Sequence, residues 1–280
     1  MRRIHDAFLE KQVNLASQTA GSSQFKYETL KTLETLFSPE MNSNIGDEIS
    51  NFFNTLEELS NNPDEYATRE SVREAAKSLI KAIKITDSTL KKHISDLNEK
   101  IQNEAKDINN ILKRIGTLNE SIATMEVGGH SQANDLRDER DRLVKNLSEK
   151  MNINYYNEDK GMIKDQEGKL TKLITKDVEN GGISGLIEVR DKIIKGIIEN
   201  NNILVENFVN AFNAIHREGY GINRYKDTNG RDFFSIEPGY SGACANIKLS
   251  DTIVDSIEAI AAGATPNAPG DNIVVNKLIG

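Results

Sequence analysis

An apolar heptad repeat between Ala76 and Met125 constrains the fold of this chain more than any other feature of its sequence. Thirteen of its fifteen seam positions are apolar: Ile80, Asp87, Ile94, Ile101, Ile108, Ile115 and Ile122 at a, and Ala76, Ile83, Leu90, Leu97, Glu104, Ile111, Leu118 and Met125 at d. This spacing predicts one helix with a narrow apolar stripe. Fifty helical residues extend roughly 75 Å, so the stripe needs partner helices along its whole length, from this chain or from another.

Two acidic residues, Asp87 and Glu104, interrupt the seam. A carboxylate that is buried without a partner lowers stability. We therefore expect both residues to lie where the seam widens, or to fix the register of neighbouring helices.

The composition agrees with an elongated helical protein. The chain has 280 residues, of which 37% are hydrophobic and 28% charged, and it contains no tryptophan. That apolar content is low for a compact core of this size, whereas a bundle that buries narrow stripes needs less. The net charge of −8, without a long Lys/Arg block, argues against a nucleic-acid partner. No stretch approaches the roughly 20 apolar residues of a membrane span, and the single Cys244 excludes an intrachain disulfide.

Both ends of the sequence predict a fragment of a longer chain. The N-terminal sequence MRRIHDAFLEKQ has no apolar signal-peptide core and is typical of the middle of a helix. The C-terminal sequence VVNKLIG stops on apolar residues without a signal that ends a helix or strand.

The remaining sequence predicts further helices and a small amount of strand. The predicted helices are 2–37, with a weak point at Gly21-Ser22-Ser23, 46–61, 68–125, 134–150, 185–216 and 250–262. The predicted fold is mainly α and is an elongated antiparallel coiled-coil bundle formed by 1–150 and 183–216. A short β-hairpin insertion is expected at 151–182, and an irregular segment with short strands and one helix, 217–280, is expected to pack on the bundle.

Helical spacing also predicts which side chains face inward. The expected inward residues are Ile4, Phe8 and Leu15 in the first helix; Ile45, Ile49, Phe52, Leu56 and Leu59 in the second; Leu136, Arg140, Leu143 and Leu147 in the fourth; Leu186, Ile193, Ile197, Leu204, Phe208, Ala211 and Ile215 in the fifth; and Ile253, Ile257 and Ile260 in the last. The pair Phe233-Phe234 is expected to dock the irregular segment on the bundle.

The histidines and the cysteine lack the spacing of a metal or catalytic site. His5, His93, His130 and His216 show neither His-x-x-x-His nor Cys-His ligand spacing, which favours roles at the surface or at helix ends. Cys244 has no His or Asp near it in the sequence, and we expect a buried or idle thiol.

Three further segments admit a chemical role, and in each the sequence favours a structural one. Asp135–Asp141 offers paired carboxylates, but arginines at helical reach predict a solvated ion-pair face. Asp227–Asp232 resembles part of a calcium loop, but its glycine is fourth and Arg231 is fifth, so a plain turn is predicted. Gly181–Gly185 opens a helix that could cradle an anion, but it lacks the P-loop lysine. The sequence predicts no catalytic, cofactor-binding or metal-binding residue, no cofactor and no enzyme.

Five motifs in order resemble one protein family. Asn134–Asp141, with the sequence NDLRDERD, is similar to the NDL-x-D-x-RD signature of the first hook–filament junction protein of the bacterial flagellum, the FlgK family. The other four motifs are Phe52-Phe53-Asn54 with Leu56, Leu59, Asn62-Pro63 and Arg69; Ile115 with Leu118, Asn119 and Ile122; Gly182-Ile183-Ser184-Gly185-Leu186 with Arg190-Asp191; and Phe208 with Ala211-Phe212-Asn213, His216, Gly219 and Asp232-Phe233-Phe234. The order and spacing hold over about Ile4 to Phe234.

The resemblance implies an exported structural subunit at the junction between hook and filament. It implies an extracellular location in the flagellum, secretion without a cleavable signal peptide, and packing with copies of itself in a tubular axial array. The implied partners are neighbouring hook, junction and filament proteins, with an export chaperone as a further candidate. Family members begin with an amphipathic segment and end with its helical counterpart, and both are expected to be missing here. The family's outer β domain is expected to be small, missing or interrupted, because only about 46 residues follow Phe234.

Two alternatives from other classes stay open at this point. A non-flagellar coiled-coil binding or adhesion protein would pair the Ile80–Met125 stripe between chains, and Ile at a with Leu at several d positions suits a parallel dimer. An enzyme that used 217–280 would need a cleft with perturbed acids. The location of the seam residues, within one chain or between chains, separates the structural module from the interchain coiled coil.

Overall fold

The computed structural model describes residues 7–36, 45–127, 133–153, 180–239, 242–268 and 270–280. It confirms the predicted mainly α class. The chain forms two compact units, one of Met1–Glu34 and His93–Lys195, the other of Thr35–Lys92 and Gly196–Gly280. The division predicted from the sequence, a bundle of 1–150 and 183–216 that carries 217–280, stays a prediction.

The described elements follow one another along the chain with short connections. The α-helices are α1 (Ala7–Leu36), α2 (Ile45–Asn61), α3 (Tyr66–Glu126), α4 (Asn134–Lys150), α5 (Gly182–Glu188), α6 (Lys195–His216), α7 (Ala243–Asn246), α8 (Asp251–Asp255) and α9 (Ile273–Ile279). A π-helical segment, Val189–Ile194, joins α5 to α6, and two 3-10 turns lie at Asn223–Tyr225 and Ile257–Ala259. The strands are β1 (Phe234–Ile236) and β2 (Ile247–Leu249), which pair antiparallel with Phe234 opposite Leu249.

The heptad repeat forms α3, a single helix of 61 residues that contributes to both units. Most seam side chains are buried within this one chain, although Ile94 is half-buried and Met125 is exposed. The buried Asp87 accepts a hydrogen bond from Lys91 at 2.7 Å. The half-buried Glu104 accepts one from Lys150 of α4 at 2.8 Å, so it links two helices of the first unit.

The first unit packs α1 closely against α4 and α5. A Cβ added to Gly21 would lie 1.9 Å from the carbonyl oxygen of Glu149, and one added to Gly185 would lie 2.4 Å from that of Ser22. The predicted weak point at Gly21-Ser22-Ser23 is therefore wrong, because α1 runs unbroken through it and the glycine serves close helix packing. The inward position predicted for Leu15 is also wrong, since its side chain is 58% exposed.

The turn between α3 and α4 is held by one carboxylate. Glu126 accepts hydrogen bonds from Arg137 Nε at 2.9 Å, from Arg137 Nη2 at 2.5 Å and from the Ala133 N–H at 3.0 Å. In α4 the predicted inward residues Arg140 and Leu147 are buried, whereas Leu136 and Leu143 are half-buried.

The π-helical segment displaces the inward face that the sequence predicts for α6. Residues Val205, Val209, Phe212 and His216 are buried, each one position after the predicted Leu204, Phe208, Ala211 and Ile215. A π turn closes i→i+5 hydrogen bonds and so adds one residue to the helical count. The prediction was wrong for this reason, and Leu204 is 65% exposed.

An aromatic cluster forms the core of the second unit. Phe52 of α2, Phe212 of α6 and the pair Phe233-Phe234 meet with ring centroids 4.7–5.9 Å apart. Phe233 and Phe234 are fully buried, which confirms that this pair docks the C-terminal segment. Ile49 of α2, which was predicted to face inward, is largely exposed.

The end of the chain is more broken than the sequence predicts. The single helix expected over 250–262 is instead α8 followed by a 3-10 turn, because Ser256 is extended and its side chain accepts from the N–H of Glu258. Helix α9 was not predicted, and it buries Val274, Val275 and Leu278. The hairpins predicted around residues 154–174, and the predictions for Ile4, the Phe8 side chain, His5 and His130, lie outside the described residues.

Candidate functional site

Buried polar side chains in the second unit hold the segment after α6 in place. They lie on α2, α3 and α6, and their partners are mostly backbone groups of residues 231–261 and side chains of α9 and the residue before it. Arg69, Asn213 and His216 are the most enclosed of them, and below we call these three the anchor residues.

Arg69 of α3 is 1% exposed, although it carries a full charge. Its Nε and Nη2 donate to the Pro63 carbonyl at 2.9 and 2.6 Å, and its Nη1 donates to the Ile260 carbonyl at 2.6 Å. Burial lowers the pKa of Arg69 to about 10, against the opposing charge of Asp64. The guanidinium therefore stays charged at neutral pH and ties the α2–α3 turn to the C-terminal segment.

Asn213 of α6 uses both ends of its amide. Its Oδ1 accepts from the N–H groups of Phe233 and Phe234 at 2.9 and 3.0 Å, and its Nδ2 donates to the Phe234 carbonyl at 2.8 Å. A buried backbone amide without a partner is costly. Asn213 thus satisfies the backbone of the aromatic pair where it leaves the solvent.

His216 at the end of α6 bridges two loops as a neutral ring. Its Nε2 accepts from the Ala261 N–H at 2.9 Å, so its Nδ1 must carry the proton and donate to the Arg231 carbonyl at 2.8 Å. Burial lowers the pKa of His216 to about 4. The ring is therefore neutral at pH 7, as these two hydrogen bonds require.

Two further polar contacts extend the same arrangement. Ser60 at the end of α2 donates to Asn276 Oδ1 at 2.7 Å, and its carbonyl accepts from Asn272 Nδ2 at 2.8 Å. Asn202 Oδ1 on α6 accepts from the Cys244 N–H at 2.9 Å. Every one of these contacts positions a chain segment, and none of them presents a reactive atom to solvent.

The residues singled out from the sequence are distributed between both units and do not converge. Cys244 is buried, and burial raises the pKa of its thiol to about 11, which suits an idle thiol. His93 is buried in α3 rather than at a helix end or on the surface, and burial lowers its pKa. In the described ranges, no group of three or more His, Cys, Asp or Glu side chains is arranged to hold a metal ion.

The acidic run Asp135–Asp141 is engaged in ion pairs, as predicted. Arg140 of this run contacts Asp141 Oδ1 at 3.1 Å, and Glu139 accepts from Arg114 of α3 at 2.8 Å. The hydrogen bonds from Arg137 and the Ala133 N–H hold the pKa of Glu126 at about 2. These pairs join α3 to α4.

The calcium-like loop and the glycine-rich helix start both have structural roles. Arg231 Nη1 donates to the Thr228 carbonyl at 2.6 Å, and Arg217 Nη2 donates to Asp232 at 3.0 Å, so a cation would compete with two guanidinium groups. At the start of α5, a Cβ added to Gly182 would lie 2.9 Å from the Phe25 ring. This helix start is therefore covered by α1, and no anion site is open there.

Sequence reasoning did not find the roles of Arg69, Asn213 and Glu126. The available signal was a polar residue on the buried face of a helix, since Asn213 is flanked in the sequence by the apolar Phe212 and Ala214. Its backbone partners lie about 20 residues later, at positions that spacing alone does not indicate.

The profile of the flagellar hook-associated protein FlgK helical domain matches residues 30–164 and 162–234. The chain belongs to the FlgK family. The flagellar hook-associated protein 1 of Salmonella typhimurium is 25% identical over 297 residues, which cover 91% of this chain and 53% of that protein. The Bacillus subtilis protein of the same name is 26% identical over 339 residues, covering 99% of this chain and 66% of that protein. The chain thus spans about half to two thirds of the length of these relatives.

A solved structure shows the same fold. It is the flagellar hook junction protein FlgK from Burkholderia pseudomallei, with a TM-score of 0.66 at 19% identity, covering 81% of this chain and 46% of that one. In this FlgK-family chain, the motif residues Arg69, Asn213, His216 and Phe233-Phe234 are those that fix the C-terminal segment. Among the described residues, no helix combines the length and apolar character that crossing a membrane requires.

Proposed function

We propose that this chain is a structural subunit of the bacterial flagellum that joins hook and filament by packing with copies of itself in a tubular axial array. The observation that carries the proposal is the FlgK family match over residues 30–234, together with the use of the family's motif residues. These residues hold backbone segments in place and expose no reactive group. Such use suits a load-bearing module and gives no support to an enzyme.

The location of the heptad seam supports the same proposal. Seam residues such as Ile101, Ile108 and Ile115 are buried within a single chain. A non-flagellar coiled-coil protein that pairs between chains would need this stripe free for its partner. Nothing in the described residues favours that alternative.

The expected partners follow from this role. They are copies of the chain and the neighbouring hook, junction and filament proteins, with an export chaperone as a further candidate. The proposed location is the flagellum outside the cell, reached without a cleavable signal peptide. Of the relatives, the printed names say that they are hook-associated proteins, and the solved structure is titled a hook junction protein.

The proposal is tested by deleting the gene in the bacterium that carries it and imaging the cells by electron microscopy. A junction subunit predicts cells that keep hooks but lack attached filaments, and that regain filaments when the full-length gene is returned. Normal filaments in the deletion strain would overturn the proposal.

A further inference from the structure

Helix α3 carries a basic face in a chain whose net charge is −8. Lys77, Lys81, Lys84, Lys91 and Lys92 are all exposed, and their spacing places them along one side of the helix. The only acidic residue between positions 75 and 95 is the buried Asp87. We call these five residues the lysine stripe, and all of them lie in the second unit.

Much of the lysine stripe has no counter-charge. Lys77 pairs with Glu74 at 2.6 Å and Lys91 pairs with Asp87 at 2.7 Å, both within α3. Lys81, Lys84 and Lys92 form no ion pair with any residue that the structure describes. Three lysines are therefore available to a partner.

Helix α2 of the same unit has the opposite character. It carries Asp47, Glu48, Glu57 and Glu58, and the sequence has no lysine or arginine from residue 45 to residue 68. Asp47, Glu57 and Glu58 are exposed, and Glu48 is half-buried. Within the described parts of the chain, none of these four carboxylates has an ion-pair partner.

The two faces also match in dimensions. Asp47 and Glu58 are eleven residues apart on α2, and so are Lys81 and Lys92 on α3. Eleven residues correspond to about three helical turns, or roughly 16 Å, so each pair lies on one side of its helix. Two helices laid side by side would bring both carboxylates opposite both lysines.

We propose that α2 of one copy of this chain packs along the lysine stripe of α3 of a neighbouring copy. The inference rests on the proposed self-packing and names the surfaces that carry it. Because two different faces meet, the contact is heterologous, and such contacts repeat into rings or open helical arrays. Charge complementarity of this kind fixes the register of neighbours and excludes wrong partners.

The test uses charge reversal in the full-length protein, returned to the deletion strain. K81E/K84E makes the stripe acidic, E57K/E58K makes α2 basic, and a third variant combines all four changes. K106E/K113E and E99K/E120K are matched controls, because these exposed residues of α3 lie in the other unit and form no ion pair with described residues. All the changed residues are exposed, so the melting temperatures should match that of the wild type.

Each reversal alone should lower the fraction of cells with filaments about tenfold or more, because like charges would face each other across the contact. The combined variant should restore filaments, and the controls should behave as the wild type. Filaments in both single reversals would overturn the contact while leaving the proposed function intact. Defects that the combined variant does not restore would also overturn it, since the partner of one face would then be a different protein.

A second measurement does not depend on the flagellum. Unlabelled and isotope-labelled full-length protein are mixed at low salt and treated with a carbodiimide, which joins carboxylates to lysines that are in contact. Mixed-isotope peptides that link α2 to residues 77–92 are expected, and they should decrease at about 0.5 M salt because exposed charges are screened. Links found only within one isotope, or none between these helices, would overturn the contact. Failure of the gene to restore filaments would count against the proposed function instead.

Discussion

Asn213 forms a pair of hydrogen bonds with the backbone of Phe234, accepting its N–H at 3.0 Å and donating to its carbonyl oxygen at 2.8 Å. The same Oδ1 accepts from the N–H of Phe233 at 2.9 Å. The aromatic pair is fully buried, so water cannot replace these bonds. One amide on α6 therefore fixes the place where the C-terminal segment enters the core.

Replacing Asn213 by alanine should destabilise the second unit by about 3 kcal/mol, because two buried N–H groups and one carbonyl lose their partner. Urea unfolding followed by circular dichroism measures the loss. Asn210→Ala is the control, since Asn210 lies on the exposed face of the same helix and its replacement should change stability by less than about 0.5 kcal/mol. Equal stabilities of the two variants would contradict the anchoring role of Asn213.

His216 should make stability depend on pH in a mildly acidic window. Burial lowers its pKa to about 4 in the folded protein, whereas an unfolded histidine titrates near 6.5. Between these values the unfolded chain binds more protons, so the free energy of unfolding should rise with pH and level off above about 6.5. The full effect is at most about 3 kcal/mol.

Unfolding curves of the wild type and His216→Gln, recorded from about pH 4.5 to 7.5, isolate this contribution. The variant should be less stable at neutral pH and should show a smaller pH slope. Comparison with His93→Gln is informative, because burial also lowers the pKa of His93, which is in the other unit. An unchanged slope in His216→Gln would show that another group titrates in this window.

The turn between α3 and α4 should depend on Arg137. Its two hydrogen bonds to Glu126 join partly buried groups, and Arg137→Gln should cost roughly 1–2 kcal/mol. Arg114→Gln is the matched control, because Arg114 also pairs with a glutamate, Glu139, but is well exposed and should contribute less than about 1 kcal/mol. Thermal unfolding of both variants at low and high salt compares them. A larger loss in Arg114→Gln would contradict this ranking.

Glu126 should also contribute to acid sensitivity of the first unit. Its folded pKa of about 2 lies below the usual glutamate value, so its stabilising effect is present above about pH 4.5 and is lost as pH falls through 2. Glu126→Gln should flatten the stability curve in that range. An identical acid profile for the variant would contradict the pairing.

The long helix could be predicted from the sequence because its signal repeats over many turns. Each heptad adds an independent indication of the same buried face, and the structure buries most of the predicted seam, from Ala76 to Ile122. The short elements lack such repetition. Helix α9 has only seven residues, so its periodicity covers two turns and does not distinguish it from a loop.

The remaining errors arise from interactions that are distant in sequence. The inward face of α6 was displaced by one residue because a π turn over Val189–Ile194 has no signature in single-sequence periodicity. The anchor residues were not found because their partners are backbone groups, which do not depend on side-chain identity. The glycine at position 21 indicates a helix break by propensity, and only the position of α4 reveals that it serves packing.

Two glycines in long helices should therefore respond to alanine in opposite ways. At Gly21 the added Cβ would meet the carbonyl oxygen of Glu149, a backbone atom that cannot rotate away, and Gly21→Ala should destabilise the first unit by roughly 3 kcal/mol. At Gly116 nothing lies within 4 Å of the added Cβ, so Gly116→Ala should stabilise α3 by about 1 kcal/mol. Melting temperatures should thus fall for the first variant and rise for the second. Shifts of the same sign would mean that helix propensity, rather than the contact between α1 and α4, determines the effect at position 21.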